Sequence, residues 1–406
     1  MSLKSSTLYH PWICFFLFLA VGSYLSYFPA NNLEKYSAFL VGVFMPMLLI
    51  LFSKRTVIQT DENVFQREQF EKPTLGLWLL FGLLLMGLRF WRLTSLFQWP
   101  TGDETSTGMV GISLLHQWNW RFFHEFGQNV FPYHWVWCLF YRLTHSPQLA
   151  LWLLPAIISA ALIPLTYFGA RRFCGSSFSI ILAGLMATGF WPIYLGRVGF
   201  PIFVVAWEIA AMFCFANFLE RSQKDAGIGA AMGLGLITGL GVLTTPCWAA
   251  VGVGLVVLVV LVAARRNRWP ALMVFLVTLL ILFIPYFIVL WREGYGGHIQ
   301  AMGFWNGQGD ASSMVTRFGD YWMILWGTVN EPAIYAPPWG GFLNPIISAL
   351  FFLGLIEIGI RFSKLRLVLF LAVLTLCLST GFLSSSVETY RVLTVIPILF
   401  LRRRWV

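Results

Sequence analysis

Long apolar runs separated by short polar clusters dominate the chain. An α-helix needs about 17 to 25 mostly apolar residues to cross a lipid bilayer. Runs of this kind predict spanning helices near residues 12–28, 37–53, 75–93, 148–170, 178–196, 201–219, 227–245, 247–264, 270–291, 342–360 and 366–383. A shorter run at 391–401 brings the expected total to about 12 spans. The pattern therefore predicts an all-α polytopic membrane protein.

One apolar run, 131–143, is expected not to cross. It is short, and Pro132 and His134 interrupt it. Its aromatic residues are typical of a helix lying at the outer membrane interface; they are Phe131, Tyr133, Trp135, Trp137, Phe140 and Tyr141. If this run did cross the bilayer, the orientation of every later span would be inverted.

Composition and charge agree with this class. Hydrophobic residues make up 58% of the chain and charged residues 11%, and the mean hydropathy is +0.74. The net charge of +10 does not indicate nucleic-acid binding, because the basic residues fall in short clusters between apolar runs. Such clusters mark cytoplasmic loops. They predict an inner (cell) membrane protein with both termini in the cytoplasm, and the first run, which no small-residue cleavage site follows, is expected to be retained.

Two larger polar regions, 94–147 and 292–341, are then expected to face outward. Neither contains enough polar sequence for a separate soluble domain. They predict interfacial helices, such as an amphipathic helix at 104–118, covering a cavity that opens to the outer leaflet. The expected organisation is a two-helix extension with a cytoplasmic loop over residues 1–72, followed by a membrane core over residues 73–406.

The most informative polar residues are Asp103 and Glu104, in the segment that follows the run 75–93. A carboxylate at the mouth of a membrane helix costs free energy, so such a pair indicates a functional site. Within hydrogen-bond reach of an attacking hydroxyl, a carboxylate acts as a general base. A solvated loop pair is the alternative. Asp103 as the N-cap of the following helix is compatible with either interpretation.

Several of these features together resemble the C-type (GT-C) membrane glycosyltransferases. The residues are Gly102-Asp103-Glu104 after a span, a span closing on Arg171-Arg172, and a span ending in Tyr194-Leu195-Gly196-Arg197. The most similar groups are the family 39 protein O-mannosyltransferase-like enzymes, the lipid A aminoarabinose transferase-like enzymes and the bacterial RgtA/B/C/D-like enzymes. The resemblance covers roughly residues 75–400. It implies a glycosyltransferase that moves a sugar from a polyisoprenyl-phosphate donor to a lipid, glycan or protein acceptor on the outer face.

The resemblance also implies roles for individual residues. Asp103 corresponds to the essential loop acid and Glu104 follows it, so both are expected to be catalytic. A divalent cation held by this pair is an open alternative, and no further metal ligands are expected. Arg197 and Arg391 are expected to bind the lipid phosphate. Interfacial anchoring by snorkelling is the alternative for both arginines.

One departure from the family pattern concerns a second acid. Several relatives have one a few residues after the arginine, whereas here Val198-Gly199-Phe200-Pro201 follows Arg197 and the next acid is Glu208. Glu208 is either a substitute acid within the sixth span or a hydrogen-bonding residue between helices. The alternative functions are a multi-pass transporter or flippase and a non-catalytic assembly protein for envelope polymers.

The six cysteines all lie within apolar stretches and share no metal-binding or disulfide spacing. They are therefore expected to be core residues.

Overall fold

The computed structural model describes residues 72–91, 133–174, 176–198, 202–220, 227–244 and 248–293, with short pieces at 93, 108, 112, 319–320, 323, 325, 342–345, 347–349, 351–353 and 356. Within these ranges the chain is helical and contains no strand. The long helices are α1 Lys72–Leu88, α2 Tyr133–Thr144, α3 Pro147–Cys174, α4 Ser176–Thr188, α5 Phe190–Val198, α6 Ile202–Glu220, α7 Ile228–Thr244, α8 Ala249–Arg266 and α9 Trp269–Glu293. The spans predicted at 12–28, 37–53, 366–383 and 391–401 lie outside the described residues.

Helix α3 is the centre of the described bundle. It packs against α1, α2, α4, α5 and α6, while α7 packs against α6, α8 and α9. Its sequence is apolar on all sides, as expected of a helix surrounded by other helices. Side chains from α3 to α9 form one large buried cluster, which includes Leu162, Trp191, Phe218, Trp248 and Phe275.

Local sequence signals fix two of the helix boundaries. Ser146 precedes Pro147, and its hydroxyl accepts a hydrogen bond from the Leu149 N–H at 3.3 Å. A serine cap followed by proline at the first helical position is a favourable start for α3. Helix α8 ends at Asn267, whose φ of 51° lies in the left-handed region, and the Arg268 N–H returns to the Ala263 carbonyl at 2.9 Å. This closure reverses the chain directly into α9.

Glycines allow α7 and α9 to approach closely. A Cβ added to Gly235 would lie 2.8 Å from the Phe275 carbonyl oxygen, and one added to Gly239 would lie 2.6 Å from Leu282 Cδ1. The two glycines are four residues apart and therefore lie on the same face of α7. Close packing through small residues is characteristic of helices within a membrane, where apolar burial alone does not drive association.

Two described helices, Pro147–Arg171 and Ile202–Leu219, are long and apolar enough to cross a membrane. The number rises to three if Ser179–Thr188 and Phe190–Arg197 form one bent span. Apolar side chains spaced one turn apart are exposed on α8, at Val253, Val257 and Leu261, and α9 carries a similar stripe. Such surfaces fit contact with lipid. The described part of the chain is therefore a helical bundle of the membrane-associated type.

Helix α2 confirms that residues 131–143 include a helix; its position at the outer interface stays a prediction. Trp137 is fully buried and belongs to a cluster with Leu93, Leu151 and Trp152 of neighbouring elements. Leu143, by contrast, is exposed on the opposite side of α2. Trp137 thus packs on α3, with Phe140 and Tyr141 partly buried beside it.

Candidate functional site

The span expected at 178–196 is two helices in the structure. Helices α4 and α5 are bent by 49°, and Gly189 lies between them. A Cβ at Gly189 would approach the Leu185 carbonyl oxygen to 2.7 Å, so a residue without a side chain suits this position. Pro192, in the first turn of α5, has no N–H to continue the hydrogen-bond ladder of α4. The chain bends here because glycine and proline interrupt a regular helix.

Helix α5 lies directly against α3. The Ser159 hydroxyl of α3 donates a hydrogen bond to the Pro192 carbonyl at 2.6 Å, and a Cβ at Gly196 would lie 2.5 Å from the Cβ of Ser159. Glycine in Tyr194-Leu195-Gly196-Arg197 therefore has a packing role, since any larger residue would push α5 away from α3. This contact fixes the position from which Arg197 extends.

Arg197 reaches the end of α1. Its guanidinium Nη2 donates to the carbonyls of Leu88 and Trp91, both at 2.9 Å. The residue is only 2% exposed, so the arginine lies within the protein rather than on a lipid-facing surface. The last carbonyls of a helix lack intrahelical donors, and a cation there also complements the helix dipole. Phosphate binding by Arg197 stays a prediction.

Arg89 is a second buried arginine in the same region, and the sequence did not single it out. Its Nη1 donates to the Leu85 carbonyl at 2.8 Å and its Nη2 to the Met186 carbonyl at 3.3 Å. Met186 lies in the last turn of α4, beside the bend. Arg89 and Arg197 therefore join the end of α1 to both halves of the bent pair. The signal that could have identified Arg89 is a basic residue at the end of an otherwise apolar run.

The segment that carries Asp103 and Glu104 lies outside the described residues, but its flanks do not. Leu93 packs in a buried cluster with Trp137 and Leu151. Gly108 is also buried, and a Cβ built there would lie 3.8 Å from Trp137 and 3.9 Å from Leu151. Both flanks therefore lie beside Trp137 of α2 and Leu151 of α3, next to the end of α1. Arg391 also lies outside the described residues.

Helix α5 is also connected to a distant part of the sequence. The Trp191 indole N–H donates to the Phe342 carbonyl at 2.7 Å, and the two rings stack with centroids 4.9 Å apart. Phe342 immediately follows the region 292–341. Phe342 is therefore held against the bent pair.

Glu208 lies two turns into α6 and is only 4% exposed. Its Oε2 has no hydrogen-bond partner among the described residues. Trp207, which precedes Glu208, has a buried Nε1 with no acceptor within the same ranges. The hydroxyl of Thr166 on α3 is also buried there without a hydrogen-bond partner. Glu208 was expected to be either a substitute acid or a hydrogen-bonding residue between helices. These contacts do not decide between the two, but the described neighbours provide no donor for its Oε2.

Residues able to hold a metal do not gather in the described ranges, where no group of three His, Cys, Asp or Glu side chains occurs. Cys138 and Cys214 form no disulfide and are partly buried. The cation considered for Asp103 and Glu104 concerns residues outside these ranges.

Comparison of the chain with protein-family models, with curated proteins and with solved structures finds no match.

Proposed function

We propose that the protein is a membrane glycosyltransferase that moves a sugar from a polyisoprenyl-phosphate donor to an acceptor on the outer face of the membrane. The single observation that carries this proposal is the acidic pair Asp103-Glu104 at the end of a predicted span. In the proposed architecture, about 12 spans of C-type fold lie in the inner membrane, with both termini cytoplasmic.

The packing around the acidic segment supports this proposal. Its flanks, Leu93 and Gly108, lie at one corner of the bundle, and Arg197 contacts the end of α1 just before that segment. Arg197 and the two described flanks of the acidic segment at one end of the bundle suit a phosphorylated donor and a hydroxyl acceptor. The carboxylate takes the proton of the attacking group, and the guanidinium stabilises the phosphate that leaves.

A division of roles follows from this chemistry. Asp103 is the proposed base, Glu104 assists it, and Arg197 and Arg391 bind the lipid phosphate. A divalent cation on the acidic pair is the alternative for charge stabilisation. The acceptor is a lipid, a glycan or a protein.

A transporter or flippase is the second candidate, and two observations favour it. Discontinuous helices and buried ionisable groups within the membrane are common in transporters. The bent pair α4–α5 and the buried Glu208 are features of this kind. An assembly protein without catalytic activity is the third.

Reconstitution discriminates among these functions. The full chain is placed in liposomes with a panel of polyprenyl phosphates, each carrying one hexose or pentose, and candidate acceptors. Consumption of a sugar-bearing lipid with release of polyprenyl phosphate supports the glycosyltransferase. Movement of a solute or lipid across the bilayer without consumption of the donor contradicts it and supports the transporter.

A further inference from the structure

Helix α6 carries an unusual pair of polar atoms in consecutive residues. Trp207 Nε1 is a hydrogen-bond donor and Glu208 Oε2 is an acceptor, and each is buried without a partner among the described residues. Burial of an unsatisfied polar group costs about 1 to 3 kcal/mol, and more for a charged one. Glu208 is the ionisable member of the two, and an ionisable group within an apolar helix indicates a functional site.

The chemistry of the pair restricts what would satisfy it. A metal ion would be coordinated by the carboxylate but not by the indole, and it would need further oxygen ligands. The described residues provide no group of three His, Cys, Asp or Glu side chains. A phosphate would use only the indole N–H and would leave Glu208 Oε2 without a donor. Hydroxyl groups both donate and accept, so a ligand with several hydroxyls can supply an acceptor to Trp207 and a donor to Glu208.

The surroundings also suit a ligand with hydroxyls on an apolar frame. The Phe203 and Trp207 rings lie 6.5 Å apart by centroid, one turn from each other on α6. On the neighbouring α3, the Thr166 hydroxyl is likewise buried without a partner in the described part of the chain. A sugar ring presents hydroxyls at its edge and C–H groups on its faces, which matches polar atoms next to aromatic rings.

We propose that Trp207 and Glu208 form the subsite that binds the sugar hydroxyls of the donor, separately from the groups that bind its phosphate. This inference rests on the proposed glycosyltransferase function and deepens it. It assigns Glu208 to sugar recognition rather than to proton transfer.

The test compares the affinity of the purified full chain for a sugar-bearing polyprenyl phosphate with its affinity for bare polyprenyl phosphate. The ratio of the two dissociation constants isolates the sugar, because the phosphate and the lipid chain are common to both. Glu208→Gln and Trp207→Phe should each reduce the preference for the sugar-bearing lipid about tenfold, which corresponds to about 1.4 kcal/mol. Trp248→Phe is the matched control, since Trp248 Nε1 is also buried without a described partner but its ring packs against Gly241 on α7.

Each outcome has a defined meaning. Loss of preference in both α6 variants, with the control unchanged, supports the subsite. Unchanged preference in Trp207→Phe overturns it, even if Glu208→Gln does not fold. If the donors bind and both variants keep the wild-type ratio of dissociation constants, the subsite is excluded. The proposed glycosyltransferase function is not affected by that result. Failure of every donor in the panel to bind contradicts both the subsite and the proposed function.

Discussion

Three buried arginines bind backbone carbonyls at helix ends. Arg89 and Arg197 do so at the end of α1 and at the bend between α4 and α5, and Arg268 donates to the Phe218 carbonyl near the end of α6. Inside a membrane bundle no water satisfies the last carbonyls of a helix, so a long cationic side chain can replace it. These arginines therefore stabilise helix ends and the α4–α5 bend, whose carbonyls would otherwise lack hydrogen-bond donors.

Replacing Arg89 tests this stabilising role. Arg89→Met keeps an unbranched apolar side chain but leaves the Leu85 and Met186 carbonyls without their donor. We expect a loss of about 2 to 4 kcal/mol of stability and a lower unfolding temperature in detergent. Arg142→Met, at an exposed position on α2, should change the unfolding temperature little. Equal temperatures for the two variants would show that Arg89 is not a structural link.

At the scale of the helix, apolar runs predicted where the elements lie but not how they pair. The runs 148–170, 201–219 and 227–245 agree closely with α3, α6 and α7. The bend at Gly189 was missed, because a mean hydropathy over 178–196 does not register a Gly-Phe-Trp-Pro sequence as an interruption. The pairing of α7 with α9 depends on which glycines share a face and on the shape of the partner, and periodicity alone does not provide this.

Two glycines of α7 give a matched test of that pairing. Gly235→Ala would place its Cβ 2.8 Å from the Phe275 carbonyl oxygen of α9, whereas Gly229→Ala has nothing within 4 Å. We expect Gly235→Ala to destabilise the protein by about 1 to 3 kcal/mol through overpacking. Gly229→Ala should be neutral or slightly stabilising, because alanine favours a helix by about 1 kcal/mol over glycine. Thermal unfolding in detergent distinguishes the two, and destabilisation by both variants alike would contradict the close α7–α9 contact.

At the scale of the whole molecule, the sequence predicted the class of protein better than it predicted the contacts of the site residues. It identified Arg197, whose partners at Leu88 and Trp91 could not be inferred because they are over one hundred positions away in the chain. It missed Arg89, since a single arginine near the end of a predicted span resembles an ordinary anchor. Asp103, Glu104 and Arg391 rest on local sequence alone and stay predictions.

The orientation of the chain is tested by cysteine labelling in a cysteine-free background. With 131–143 not crossing and the N-terminus cytoplasmic, Gln128→Cys and Gly307→Cys should react with a membrane-impermeant reagent from outside. Thr60→Cys and Gln223→Cys should react only after permeabilisation, because they lie in the clusters expected to be cytoplasmic. Labelling of His145→Cys on the opposite side from Gln128→Cys would mean that the run crosses and that the later topology is inverted.

The most direct measurement of the central claim is sugar transfer by Asp103→Asn in liposomes, beside the wild type. Asparagine keeps the size and helix-capping ability of aspartate but cannot act as a base at neutral pH. We expect the wild type to release polyprenyl phosphate from a sugar-bearing lipid, and Asp103→Asn to bind the same lipid with similar affinity without turning it over. Wild-type turnover in Asp103→Asn would show that Asp103 is not the base, because the reaction would then proceed without its carboxylate.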